Sequence, residues 1–239
     1  WVSPSPLHLQ PRASIMTSRP FGKLPSGESI EAYTLRNAAG ASLEVLTYGG
    51  IVTPLRLPDH HGQFADVVLG FDNLAAYSAG HPYFGALIGR IAGRLTAGKL
   101  ILPDGTHQLA RNNGRNHLHG GRTGFDKRVW HAQLATRADG ADSLCLTYHS
   151  PDGEEGYPGN LDVAVTYTLT AKNEFIVASE AAADRVTPLS LAQHSYFNLA
   201  GAGSGSVLTH EVQIYADKLV PAADTGMTLS GNLQSVAGT

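Results

Sequence analysis

Residues 161–170 read LDVAVTYTLT, with Leu161, Val163, Val165, Tyr167 and Leu169 on one side of an extended chain. Asp162, Thr166, Thr168 and Thr170 fall on the other side. A period of two is the mark of a strand buried on one face. The pattern recurs in SLCLTYH (143–149), where Leu144, Leu146 and Tyr148 share a side. SLEVLTYGG (42–50) gives another strand ending in a glycine pair, and ADVVLGF (65–71), FIVASEAA (175–182), LSLAQHSYF (189–197) and HEVQIYADKLV (210–220) add β-branched or aromatic runs. Turn signals separate them: LPDG (102–105), ADGAD (138–142), SPDGEEGYPGN (150–160) and GAGSGS (201–206). No window of twelve residues carries a helical stripe. FDNLAAYSAG (71–80) predicts one short helix, capped by Asp72 or Asn73. The spacing of strands and turns predicts an all-β fold, an antiparallel sandwich or barrel, rather than βαβ units.

Composition narrows the function classes. The 239 residues are 42% hydrophobic and 15% charged, which is globular. With a formal net charge of −3 and no basic run, the chain lacks the electrostatic footprint of a nucleic-acid binder. The apolar runs fall short of a membrane span. A single cysteine, Cys145, excludes an intramolecular disulfide and cysteine-based zinc clusters, and its apolar neighbours predict a buried filler. This composition fits a cytoplasmic protein. The first fifteen residues, WVSPSPLHLQPRASI, begin without Met and lack the apolar core of a signal peptide. The expectation is that Met16 is the natural start, that residues 1–15 are a disordered upstream or appended segment, and that 16–239 form one domain.

Three polar clusters can carry chemistry. His117 and His119 in HLHGG are two apart, so on an extended segment their rings share a face while Leu118 turns inward. Such a pair, with His194 as a third ligand, is the arrangement a β-strand offers to a metal; the usual further carboxylate is missing, and no metal is expected. In QHSYFN (193–198), His194, Tyr196 and Asn198 alternate with Ser195 and Phe197, and imidazole is the natural acid or base near neutrality. GRIAGRL (89–95) adds Arg90 and Arg94, either of which belongs by default on a solvated face. The sequence holds no phosphate-binding loop, dinucleotide fingerprint or G-x-S-x-G elbow. Neutral donors and acceptors around histidine and arginine suit a polar, hydroxyl-rich ligand, that is, a sugar.

In order along the chain, LTYGGIVTPLRLPD, DVVLGFDNLAAY, HPYFGALIGRIAGRL, NHLHGG, GFDKRVW, SPDGEEGYPGNL and HSYFNLAG resemble the motifs of the aldose 1-epimerase (galactose mutarotase) family, over about Arg19 to Thr239. The resemblance implies a large antiparallel β-sandwich with the sugar site in a cleft. It implies interconversion of the α and β anomers of free aldohexoses, with no cofactor, by a monomer or homodimer. The histidine of LHGG is His119, which in the family contacts the sugar near its ring oxygen. The histidine of HSYF is His194, the general acid, followed by Ser195 and Tyr196 in the binding segment. The second arginine of the family's GRxANR is Arg94, a ligand of sugar hydroxyls. His117 receives no role.

The sequence departs from the family pattern in three places. Gly93 stands where the family has Asn, and Gln193 replaces the Asn before the catalytic histidine. The family's sugar-binding Asp of PFDF and its general-base Glu lie in segments with no counterpart here, so the sequence reads as a C-terminally truncated sandwich. Glu154 and Glu155 read as turn and surface residues, not as replacements for that base. A non-catalytic sugar-binding domain on the same fold is the second reading, and a metal-dependent barrel the third. On the first reading the 239-residue chain is expected to accelerate the equilibration of fresh α-D-galactose very little. Polarimetry showing rapid equilibration that His194→Ala abolishes would establish that another group serves as base.

Overall fold

The computed structural model describes residues 17–137, 140–223 and 227–238. Residues 1–15 and Met16 lie outside the described residues. β1 (Thr17–Lys23), β2 (Ser29–Arg36), β3 (Ser42–Leu46), β4 (Val52–Pro58) and β5 (Phe64–Asp66) form one antiparallel sheet in chain order. The short helix α1 (Leu74–Ser78) follows, and its cap is Asn73, whose side-chain oxygen accepts the Ala76 N–H at 2.9 Å. Five short strands come next: β6 (Leu87–Ile88), β7 (Arg94–Leu95), β8 (Lys99–Leu102), β9 (Gly105–Gln108) and β10 (His117–Leu118). β11 (His131–Thr136), β12 (Asp142–Ser150), β13 (Leu161–Leu169) and β14 (Phe175–Ala183) make the second antiparallel sheet.

The two sheets face each other across one core. Leu35, Leu43, Val45 and Leu55 of the first meet Leu144, Leu146, Val163, Val165 and Tyr167 of the second. Leu161, Val163, Val165, Tyr167 and Leu169 of the alternating stretch are each 3% exposed or less. Each such burial stabilises by about 1.5–3 kcal/mol before chain entropy opposes it. The Tyr167 hydroxyl crosses the core and donates to the Gly50 carbonyl at 3.0 Å. The other face of the first sheet is covered by α1, where Leu74 and Tyr77 pack on Ile30, Ala32 and Leu46. The all-β antiparallel sandwich expected from the alternation is therefore what forms. Among the described residues no helix is long and apolar enough to cross a membrane.

Other expectations need correction. HEVQIYADKLV yields only the two-residue strand Lys218–Leu219, while Val212, Ile214 and Tyr215 are exposed. Alternation records which way side chains point; a strand also needs a partner for its backbone groups. ADVVLGF ends its strand at Asp66, whose Oδ1 accepts the Leu55 and Val68 N–H groups, and continues as a single bridge from Val68 to Phe197. LSLAQHSYF holds only β15 (Ala192–Gln193). Cys145 is half-buried, because it lies on the opposite side of β12 from the buried Leu144 and Leu146.

The default solvated-face reading of Arg90 also fails: it is 1% exposed. Its Nε donates to Ser150 Oγ at 2.9 Å. Its terminal nitrogens donate to the Ser150, Pro151, Pro158 and Gly159 carbonyls and to Thr187 Oγ1, at 2.9–3.1 Å. A buried guanidinium is tolerated only when its donors are satisfied, and here it ties the 150–160 connection and Thr187 to the segment between β6 and β7. Arg90→Ala leaves those acceptors unsatisfied and is expected to destabilise by at least about 3 kcal/mol. Urea unfolding measures it; a loss below about 1 kcal/mol would contradict this reading of the guanidinium.

Candidate active site

Two short ladders carry the candidate residues. β7 pairs with β10, His117 opposite Leu95 and Leu118 opposite Arg94. The pairing continues into His119, whose backbone N–H donates to the Gly93 carbonyl at 3.0 Å. There the chain turns left-handed: φ is 50° at His119 and 84° at Gly120. A side chain at 120 is excluded, since a Cβ would fall 1.6 Å from the Gly89 carbonyl oxygen. β6 pairs with β15, Leu87 opposite Gln193. His194 continues that ladder, its N–H donating to Ala86 O at 2.9 Å and its carbonyl accepting from Gly85 N at 3.2 Å. Both histidines thus hang from strands that flank Arg90.

The two imidazoles meet edge-on, their ring centres 5.2 Å apart at 84°. Tyr83 contacts both, at 4.7 Å from His119 and 5.6 Å from His194. Tyr196 lies 5.2 Å from the His194 ring centre, tilted by 35°, and meets Phe84 edge-on at 5.2 Å. The Gly93 N–H donates to His119 Nδ1 at 3.0 Å. Nδ1 is therefore an acceptor, and the neutral ring carries its proton on Nε2. Burial, with help from His194, Arg94 and His117, lowers the His119 pKa to about 4, so the ring is neutral at physiological pH. Among the described residues no protein hydrogen bond reaches the His194 ring, which leaves both its nitrogens open to a ligand.

Of the residues singled out from the sequence, His119, His194 and Tyr196 come together directly. Arg94 lies one residue beyond Gly93, and its Nε donates to Asn113 Oδ1 at 3.0 Å. The Ser195 hydroxyl is buried without a hydrogen-bond partner among the described residues. Gln193 clamps the segment, donating to Gly85 O at 2.8 Å and accepting the Ser195 N–H at 3.0 Å. His117 does not share the face of His119, because the left-handed turn at 119 breaks the extended geometry. Its ring is fully buried, Nδ1 donating to Ala110 O at 2.8 Å and Nε2 accepting from the Tyr157 hydroxyl at 2.6 Å. With both nitrogens engaged, it offers nothing to a metal.

Glu154 and Glu155 are anchors rather than surface residues. Glu154 accepts from Tyr148 at 2.6 Å and pairs with Arg128 at 2.9 Å, and Glu155 accepts the Arg122 and Thr123 N–H groups, fastening the turn after His119. Tyr83 and Lys127 escaped the sequence reading. The available signal was their place in the HPYFG and GFDKRVW motifs. The Lys127 ammonium sits 5.6 Å over the Tyr83 ring and pairs with Asp126 at 2.6 Å. A depression of about 1080 Å³ that includes none of His119, His194, Tyr83 and Lys127 lies on the β11–β14 sheet around the exposed His149–Asp162 pair.

Residues 31–239 match the family model of aldose 1-epimerase. Galactose mutarotase of Sus scrofa is 42% identical over 225 residues, covering 94% of this chain and 64% of that protein. Aldose 1-epimerase of Escherichia coli (strain K12) is 36% identical over 215 residues, covering 90% of this chain and 60% of that protein. The crystal structure of galactose 1-epimerase from Lactobacillus acidophilus NCFM superposes with a TM-score of 0.79 at 29% identity, over 95% of this chain and 64% of that one. The chain thus spans 60–64% of the length of these relatives.

The lowered His119 pKa sets a pH dependence. The unfolded chain titrates this ring near 6.5 and the folded chain near 4, so between those values the unfolded state holds more proton. The stability tied to neutral His119 is complete above about pH 6.5 and is lost as pH falls toward 4. His119→Gln removes that dependence. The melting temperature of the variant minus that of the parent should rise from pH 7.5 to pH 4.5, and a flat difference would contradict the assignment.

Proposed function

The chain belongs to the aldose 1-epimerase family, and on that premise we propose that its histidine pair serves the interconversion of the α and β anomers of free aldohexoses such as galactose and glucose. Ring opening passes the proton of the C1 hydroxyl to a base, which for this chain's own residues is water, and delivers one to the ring oxygen as the C1–O5 bond breaks. Rotation about C1–C2 presents the other carbonyl face, and the transfers reverse on closure. In this reading His194 is the acid for the ring oxygen, and His119 donates a hydrogen bond beside it through Nε2–H. Arg94 and Tyr196 bind sugar hydroxyls. Ser195 joins them once its buried hydroxyl rotates outward. A cytoplasmic monomer or homodimer needing no cofactor completes the proposal.

The observation that carries it is the edge-on His119–His194 contact, with the Gly93 N–H holding His119 as a neutral donor. A donor that is neutral at physiological pH and an unencumbered imidazole side by side suit the two needs of a ring oxygen during cleavage: orientation and a proton.

Titrating D-galactose or D-glucose into the chain should shift the ring signals of His119 and His194 saturably. Arg94→Ala should weaken that binding about tenfold or more, as expected for a lost charged donor. In polarimetry with fresh α-D-galactose, the small acceleration expected of this chain should disappear in His194→Ala. Saturable binding with no acceleration in the unmodified protein would instead support sugar binding without catalysis.

A further inference from the structure

Among the described residues the Tyr83 ring contacts both imidazoles. It stands on His119 edge-on, at 78°, and lies at 35° to the His194 ring. Its own place is enforced from two directions. Behind it is the Lys127 ammonium, 5.6 Å from the ring centre and pinned by Asp126 at 2.6 Å. Asp126 is 3% exposed, so the cation that faces Tyr83 is tied to a buried anchor. Along the chain, the Tyr83 carbonyl accepts the Ala86 N–H at 3.2 Å, and His81 Nδ1 accepts the Phe84 N–H at 2.8 Å, closing a tight turn around it.

That turn holds Tyr83 at φ 64°, a left-handed conformation suited to glycine and disfavoured for a bulky side chain. Glycine would fit the backbone better, yet an aromatic ring occupies the position. Strain that the surroundings maintain against a simpler alternative points to a use for the side chain.

We propose that Tyr83 is a positioning residue: its ring, backed by Lys127, sets the separation and the facing angle of His119 and His194 and keeps water from the inner side of the pair. This deepens the anomer-exchange reading and rests on it only for the consequence in catalysis. The groups facing His119 are Tyr83, His194, Arg94 and His117. Of these, Tyr83 supplies an uncharged apolar wall, and it leans on His119 more closely than the His194 ring does.

The test is a histidine-ring NMR titration of the 239-residue chain, which needs no sugar and no turnover. Tyr83→Gly removes the ring and relieves the backbone, so its thermal midpoint should match or exceed that of the parent. Its His119 midpoint should rise from about 4 by one unit or more, and its His194 ring signals should move with it. Tyr83→Phe keeps the ring and should titrate like the parent. Tyr83→Asn, which tolerates the left-handed backbone but carries no apolar wall, should behave like Tyr83→Gly and decides the matter if the glycine variant unfolds. The proposal is overturned if the ring-deleted variant titrates like the parent, or if Tyr83→Phe shifts as far as Tyr83→Asn. Failure of the anomer-exchange reading looks different: polarimetry finds no catalysis while the ring signals still respond to loss of Tyr83.

Discussion

A buried guanidinium organises this molecule. Arg90 gives its donors to Ser150, Pro151, Pro158, Gly159 and Thr187, and burial lowers its pKa without removing its charge. It can stay inside only if those acceptors converge on it, so the connection between β12 and β13 must close over the segment between β6 and β7. That segment is the spine of the candidate site. β6 pairs with the strand before His194, and β7 pairs with the strand before His119. The second sheet is thereby coupled to both imidazoles by one side chain that belongs to neither.

The backbone does much of the work that side chains are usually credited with. The Gly93 N–H orients His119 and fixes its tautomer while burial keeps the ring neutral, and the close pass of Gly120 over Gly89 fixes where the ring hangs. Gly93 differs from the asparagine of the family pattern, but the hydrogen bond to Nδ1 comes from its main chain and survives the difference.

The sandwich was legible because alternation is a direct record of burial. Leu161 to Leu169 lie inside as their spacing dictates, and Asn73 caps the single helix in the manner of its residue type. The same signal misled at HEVQIYADKLV, where side chains alternate but the backbone lacks a continuous ladder among the described residues. His117 and His119 looked equivalent because periodicity presumes an extended chain; a positive φ at one residue is invisible in spacing and sends their rings apart. Arg90 and Arg94 looked equivalent too, and only the closing of the 150–160 connection buries the first. Tyr83 was hidden for a related reason: nothing local in HPYFG tells that its ring will touch two histidines drawn from positions 119 and 194.

The resulting pair is asymmetric, and the asymmetry divides the proposed labour. Two imidazoles at 5.2 Å resist carrying protons together, and His119, buried beside Arg94 and already accepting from the Gly93 N–H, is the one that stays neutral. A ring whose Nδ1 accepts from the backbone cannot take a proton there without breaking that bond, so its chemistry is confined to donation through Nε2. His194 carries no such restraint from the described protein groups. A proton that must come and go as a hemiacetal opens and closes is therefore better placed on His194, while His119 supplies direction at fixed charge. The same protein geometry can serve both anomers, since neither the Gly93 hydrogen bond nor the neutral state of His119 depends on which face of C1 the hydroxyl occupies.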